Sequence, residues 1–222
     1  MIKSIKKRLF RTDGWLHRQI VAEFHRQWYD SAHTWRENRF LGHRILQCPL
    51  DLQLYQEIVF ATRPRFFLQT GVAHGGSLLY FASLFDLIGA DASALVVGVD
   101  IKLTEAARAL NHPRIRLVEG DSTAPAVLAQ VRALLPAARG MVALDSLHTA
   151  DHVAAELLAY REFVAPGCYL VVEDTNLNGH PVCPKFGPGP FEAVGPFLRG
   201  DGDFVCDDTL WRRNFFSFHQ HG

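Results

Sequence analysis

Arg65-Phe66-Phe67-Leu68-Gln69-Thr70-Gly71-Val72-Ala73-His74-Gly75-Gly76-Ser77 reads as a buried strand passing through a glycine-rich turn into a helix. The same kind of junction recurs downstream. Asp100, Asp145-Ser146-Leu147-His148 and Glu173-Asp174 each follow a hydrophobic, β-branched run. Strand-like runs at Arg65–Gln69, Ala94–Asp100, Ile115–Glu119, Met141–Asp145 and Cys168–Glu173 alternate with helical stretches at Gly76–Ile88, Thr104–Leu110, Ala124–Leu135 and Ala150–Val164. Val96-Val97-Gly98-Val99 and Leu170-Val171-Val172 lack polar alternation, as parallel strands covered on both faces do. Repeated βαβ units with right-handed crossovers predict an α/β fold around a doubly wound, mostly parallel sheet. In such a sheet ligands bind outside the carboxyl ends of the strands, so all four strings fall in one crevice.

On either side of this alternation the pattern changes. Residues 1 to about 60 read as helical and aromatic-rich, with Trp15, Phe24, Trp28, Tyr29 and Trp35. Leu50–Phe60 follows a helical period with Asp51 near its start. After the fifth strand, Thr175–Pro190 is rich in Asn, Gly and Pro and has no period, which predicts a functional loop or lid. A helix around Phe191–Leu198 follows. Two closing strands, paired antiparallel, are expected at Phe204–Asp208 and Phe215–His219, bringing the sheet to seven.

The 222 residues suit one domain with a short extension, and the formal net charge of zero gives no electrostatic case for nucleic acid. Cys48, Cys168, Cys183 and Cys206 form no CxxC pair and read as thiols of a reducing, cytoplasmic compartment. No apolar run approaches the ~18 residues of a transmembrane helix. Lys3, Lys6, Lys7, Arg8 and Arg11 interleave with Ile2, Ile5, Leu9 and Phe10. That pattern fits a basic amphipathic helix on an anionic membrane surface, and equally a solvated face packed on the body or on a second subunit of a homo-oligomer.

At the first junction, Gly71, Gly75, Gly76 and Ser77 allow a ligand close to the backbone, and the following helix offers unpaired amides. The spacing is not GxGxxG, and no Gly-Lys-Ser/Thr phosphate loop is present. Asp100 ends the second strand, where an acid binds ribose hydroxyls or caps the next helix. Asp121 and Ser122 end the third, placed for an adenine amine or for another cap. Together these predict an adenosine-bearing ligand. Asp145, Glu173 and Asp174 converge at neighbouring strand ends, and clustered carboxylates call for a cation, with Mg²⁺ best suited to oxygen ligands, or else cap helices or pair with Arg or Lys. His148 stands one helical turn beyond Asp145 and is the candidate base, with capping or orienting Asp145 as the alternative. His152 falls one layer behind, and His74 and His180 on the rim.

Asp145-Ser146-x-His148 with His152-Val153, then Val172-Glu173-Asp174-Thr175-Asn176-Leu177-Asn178-Gly179-His180-Pro181 and Phe186-Gly187-Pro188-Gly189-Pro190, resembles the cephalosporin hydroxylase family, which includes rhamnosyl O-methyltransferases. Cys48-Pro49-Leu50-Asp51-Leu52, Tyr55-Gln56-Glu57 and Gly75-Gly76-Ser77 extend the resemblance over roughly residues 28 to 219. It implies a class I S-adenosylmethionine-dependent methyltransferase domain over 61–222 with a helical extension over 1–60. It further implies Asp145, Glu173 and Asp174 as metal ligands, and cofactor contacts from Gln69, Thr70, Gly71, Gly75, Gly76, Ser77, Asp100, Asp121, Ser122 and Asp145. The implied acceptor is a hydroxyl of a deoxysugar, glycoconjugate or related small molecule. Two departures stand out: Gln69 occupies the place of a family glutamate, and the sequence stops at Gly222, short of a Gly-Tyr-Leu-like tail. Gln69 is the feature favouring the alternative reading, a cofactor-binding accessory protein without turnover.

Overall fold

The computed structural model describes residues 14–135, 140–220 and 222. The basic segment Met1–Phe10, with its expected amphipathic helix, lies outside the described residues. Helix α1 (Trp15–Asp30) leads to a hairpin of β1 (Arg39–Phe40) and β2 (His43–Arg44). Helix α2 (Pro49–Thr62) starts with proline in its first turn, where no backbone donor is lost, and stops at Arg63 in the left-handed region. The alternating part follows: β3 (Phe66–Thr70), α3 (Gly76–Leu87), β4 (Leu95–Asp100), α4 (Glu105–Arg108), β5 (Ile115–Glu119), α5 (Pro125–Leu134), β6 (Gly140–Leu144), α6 (Ala150–Tyr160) and β7 (Leu170–Val172). Helices α7 (Pro190–Gly200) and α8 (Asp208–Trp211) lie beyond the long loop.

The five strands β3 to β7 are parallel, in the order β5-β4-β3-β6-β7. Strand side chains alternate between faces, and each face buries its own apolar set. Phe67, Val96, Ile115, Met141 and Val171 pack with Tyr55, Ile58 and Val59 of α2 and with Phe81 and Phe85 of α3. Phe66, Leu68, Val97, Val99, Val142 and Leu144 pack with Val127 and Val131 of α5 and with Val153 and Leu157 of α6. The doubly wound architecture is as expected. The order reverses between β3 and β6, which opens the crevice at their carboxyl ends. A Cβ on Gly71, whose φ is +78°, would lie 1.8 Å from the Asp145 carbonyl oxygen. Glycine there is what lets these two strand ends close together.

Two expectations are corrected. Phe204–Asp208 and Phe215–His219 form no strands, so the described sheet has five rather than seven. Their backbone groups are engaged elsewhere. The Asp207 side chain accepts from the Thr209 N–H at 3.0 Å and caps α8, while the Phe218 N–H donates to the Asp51 carboxylate at 2.8 Å. The Phe218 carbonyl accepts from the Asn176 N–H at 3.2 Å. The second correction concerns the lid. Thr175, Asn176, Leu177 and Val182 are buried, and Leu177 and Val182 share an apolar cluster with Tyr29, Phe216 and Phe218. The loop is anchored in the body, with Phe186 among its exposed residues.

Candidate active site

The strand order sets the candidate residues in a row: Asp121 and Ser122 beyond β5, Asp100 on β4, Gln69 to Gly71 on β3, Asp145 after β6, and Glu173 and Asp174 after β7. Asp145 is fixed by its backbone, whose N–H donates to the Thr70 carbonyl at 3.0 Å. Among the described residues, Asp145, His148 and Asp174 form a group whose possible ligand atoms all lie within 4.8 Å of one another. His148 Nε2 is 3.1 Å from Asp174 Oδ2. Asp174 adopts a φ of 55°, which Asp tolerates better than most residues. Neighbouring Glu173 and Asp174 thereby make different contacts.

Glu173 is held one layer deeper. Its Oε1 accepts from the Tyr55 hydroxyl and its Oε2 lies 2.6 Å from His219 Nδ1. Asp51, fully buried, flanks the other ring nitrogen of His219 at 3.5 Å. Burial opposes the charge on His219, but Asp51 and Glu173 outweigh it and hold the imidazole pKa up at about 9. The structure therefore groups His148 with Asp145 and Asp174, whereas Glu173, expected among the metal ligands, bonds to Tyr55 and His219.

Burial, together with the charges of Glu173 and Asp174, pushes the Asp145 carboxyl well above the usual carboxylate range. Asp174 is pushed up by burial and by Glu173, with His148 pulling the other way. Excess negative charge in a desolvated place is the condition a divalent cation relieves. The oxygen-rich donor set with one imidazole suits such an ion.

At the opposite end the carboxylates are supplied with donors. Asp100 Oδ2 accepts from the Val72 and Ala73 N–H groups at 2.8 and 3.2 Å, and its Oδ1 from Lys102 N–H at 3.0 Å. It thus organises the glycine-rich turn. Asp121 Oδ1 accepts from the backbone and hydroxyl of Thr123, both at 2.8 Å. Ser122 Oγ lies 3.2 Å from His152 Nε2, in a network with Ser146 and Glu156. Gly76 answers to the protein itself, since a Cβ there would meet the Arg44 carbonyl at 2.1 Å. Beside Asp100, Ile101 is 75 % exposed, and Leu147, next to His148, is 57 % exposed. Uncovered apolar side chains beside polar strand ends suit a partly apolar ligand such as a nucleoside.

Sequence reasoning missed Gln47, Tyr55, Asp51 and His219 as parts of this region. The signal was present for two of them. Asp51, Leu54, Tyr55, Ile58 and Val59 form the buried stripe of α2, and a carboxylate and a phenol on such a stripe require buried partners.

The rhamnosyl O-methyltransferase/CmcI family model matches residues 32–222. A rhamnosyl O-methyltransferase of Mycobacterium leprae is 36 % identical over 205 residues, covering 91 % of this chain and 89 % of the relative. A rhamnosyl O-methyltransferase of Mycobacterium bovis is 38 % identical over 176 residues, covering 78 % of this chain and 71 % of the relative. In fold, the chain resembles the apo structure of CmcI-N160 (TM-score 0.63, 22 % identity, 84 % of this chain and 75 % of that one). It also resembles CmcI-D160 with Mg and SAM (TM-score 0.63, 20 % identity, 88 % and 81 %).

Proposed function

Because the chain belongs to the rhamnosyl O-methyltransferase/CmcI family, we propose that it is an S-adenosylmethionine- and Mg²⁺-dependent O-methyltransferase. The proposed acceptor is a hydroxyl of a sugar, a deoxysugar such as rhamnose, free or in a glycoconjugate. The observation that carries this reading is the group of Asp145, His148 and Asp174 at the carboxyl ends of β6 and β7, beside the β3/β6 reversal of the sheet. When bound, S-adenosylmethionine supplies an electrophilic methyl group, and Mg²⁺ makes the acceptor hydroxyl easier to deprotonate.

Asp145 and Asp174 would hold the cation, with His148 beside them and Glu173 contributing negative charge from behind. His148 receives the acceptor proton at Nε2, the nitrogen that faces Asp174 at 3.1 Å. Asp100 orders the glycine-rich turn, and residues Gly71 to Ser77 with Asp121 and Ser122 would hold the cofactor. Gln69 and Thr70 support the methionine end through Asp145. Leu147 and Phe186, both exposed, border the acceptor side and help exclude water.

Among the described residues no helix is long and apolar enough to cross a membrane. The Ile2–Arg11 sequence supports peripheral contact with an anionic membrane, checked by co-sedimentation with anionic vesicles. The test of the main reading is calorimetric titration of S-adenosylmethionine and S-adenosylhomocysteine with Mg²⁺ and with EDTA, followed by methyl transfer to deoxysugar acceptors. Micromolar cofactor binding with Mg²⁺-dependent product is the expected result. Cofactor binding without turnover on any acceptor would leave the accessory-protein reading in its place, and absence of binding would remove both.

A further inference from the structure

Two glutamine amides from different parts of the chain meet on one carboxylate oxygen. Gln47 precedes α2, and its Nε2 donates to Asp145 Oδ2 at 3.1 Å. Gln69, on β3, donates from Nε2 to the same Oδ2 at 3.3 Å. Both glutamines are buried, with 6 % and 3 % exposure. Gln69 Nε2 also donates to the Gly71 carbonyl at 2.7 Å, and Asn38 Nδ2 steadies the Gln47 backbone by donating to its carbonyl at 3.0 Å. Turned end for end, Gln69 would set its amide oxygen against the Gly71 carbonyl as well as Asp145.

The terminal torsion of an aspartate is soft, so an unrestrained carboxylate samples a broad range of orientations. Two donors converging on Oδ2 remove that freedom and leave Oδ1 for another partner. We propose that Gln47 and Gln69 are positioning residues that pin Oδ2 of Asp145 and so present Oδ1 to a divalent cation shared with Asp174, beside His148. This rests on the cation site proposed above. It also gives Gln69 a purpose. A glutamate there would set a further negative charge against Asp145, in a place already occupied by Glu173 and Asp174, whereas an amide donates. Gln47 Oε1 is buried without a hydrogen-bond partner, so the amide that holds Asp145 also offers an acceptor to an N–H or O–H group arriving with a ligand.

The test is Mn²⁺ titration of the full chain, followed by electron paramagnetic resonance of the free ion, with no cofactor or acceptor present. The proteins compared are wild type, Gln47→Met, Gln69→Met and the double variant. Methionine keeps approximate length without a donor. Loss of a group that orients a metal ligand typically weakens affinity about 10–100-fold, and each single variant is expected in that range. The double variant is expected to bind scarcely more weakly than the poorer single one, because both amides act through one oxygen. Melting temperatures in EDTA give a readout of packing alone, and they are expected not to track the loss of affinity.

If the Met variants fail to fold, the wild type still decides. Gln47 and Gln69 are the buried glutamines among the described residues, and glutamine-specific ¹⁵N labelling separates their side-chain amides from that of buried Asn176. Their resonances are expected to shift on adding Mg²⁺. Wild-type affinity in both Met variants, or unshifted amides in a protein that binds the ion, overturns the positioning role alone. A wild type that binds no Mn²⁺ overturns the cation site and this inference together.

Discussion

The two ends of the crevice use carboxylates at equivalent strand ends and give them opposite surroundings. At the β4–β5 end, Asp100 and Asp121 accept from backbone N–H groups nearby. Hydrogen bonds from the Thr123 backbone and hydroxyl hold Asp121 below the usual carboxylate range. At the β6–β7 end, burial and mutual repulsion push Asp145 and Asp174 up. An acid at a strand end is thus not a site by itself. The informative end is the one where donors are too few for the charge, because something else must balance it.

The contrast is broken most directly by removing one acid from each end. Asp145→Ala is expected to cut Mg²⁺-dependent methyl transfer by about 10³-fold, the scale of losing a central electrostatic contact. Asp121→Ala, on an exposed turn, is expected to leave kcat nearly intact and to act mainly on cofactor KM. Equal damage from the two variants would erase the distinction. His148→Ala is expected to lower kcat by about 10²-fold. An unchanged rate would leave His148 as a ligand or an orienting group only.

A stability measurement sharpens the same contrast. Asp145 and Asp174 have raised folded pKa values, so without a cation their ionisation destabilises the fold as pH rises above the ordinary carboxylate range. In EDTA the wild type should therefore gain stability as pH falls from neutrality toward that range. Asp145→Asn should melt higher than wild type at neutral pH in EDTA and gain less from added Mg²⁺. An Asn variant that melts lower in EDTA would show that the carboxylate is already balanced.

Much of the upper rim was legible because it obeys local rules. Apolar runs without alternation fixed β3 to β7, and strand order placed Asp100, Asp145 and Asp174 at the carboxyl ends. The layer below was not legible, because it is built from residues far apart in sequence. Glu173 meets Tyr55 of α2 and His219 near the end of the chain, and Asn176 Nδ2 lies 3.0 Å from His25 Nε2 of α1. No periodicity marks such pairings. The two missing strands failed for a related reason. Phe215–His219 alternates as a strand would, but the Asp51 carboxylate takes the Phe218 N–H before a ladder can form.

That lower layer has its own pH signature. His219 has a folded pKa of about 9 against 6.5 for an unperturbed imidazole, so its contribution is complete below about pH 6.5. The contribution is lost as pH rises through 9. Melting temperature should fall over this interval in wild type and more gently in His219→Gln. Equal slopes would show that the imidazole is not charged between Asp51 and Glu173.

The smallest expected effect tests how firmly the long loop is anchored. Glu192 of α7 accepts from the Gly189 N–H at 2.7 Å, from Asn178 Nδ2 at 2.9 Å and, at the same Oε1, faces His180 Nε2 at 3.0 Å. Burial works against its charge, but these donors prevail and bring its pKa down to about 2. Its contribution should therefore be complete above about pH 4.5 and be lost as pH falls through 2, outside the working range. At neutral pH Glu192→Gln keeps the shape while giving up charge-assisted bonds at a partly solvated site, which costs about 1 kcal/mol after solvent screening. The melting point should drop by a few degrees. If the loop is a fixed wall, acceptor KM should rise only a few-fold and kcat should hold. A large fall in kcat would instead mean that loop movement limits turnover, and the anchored description would give way to a lid.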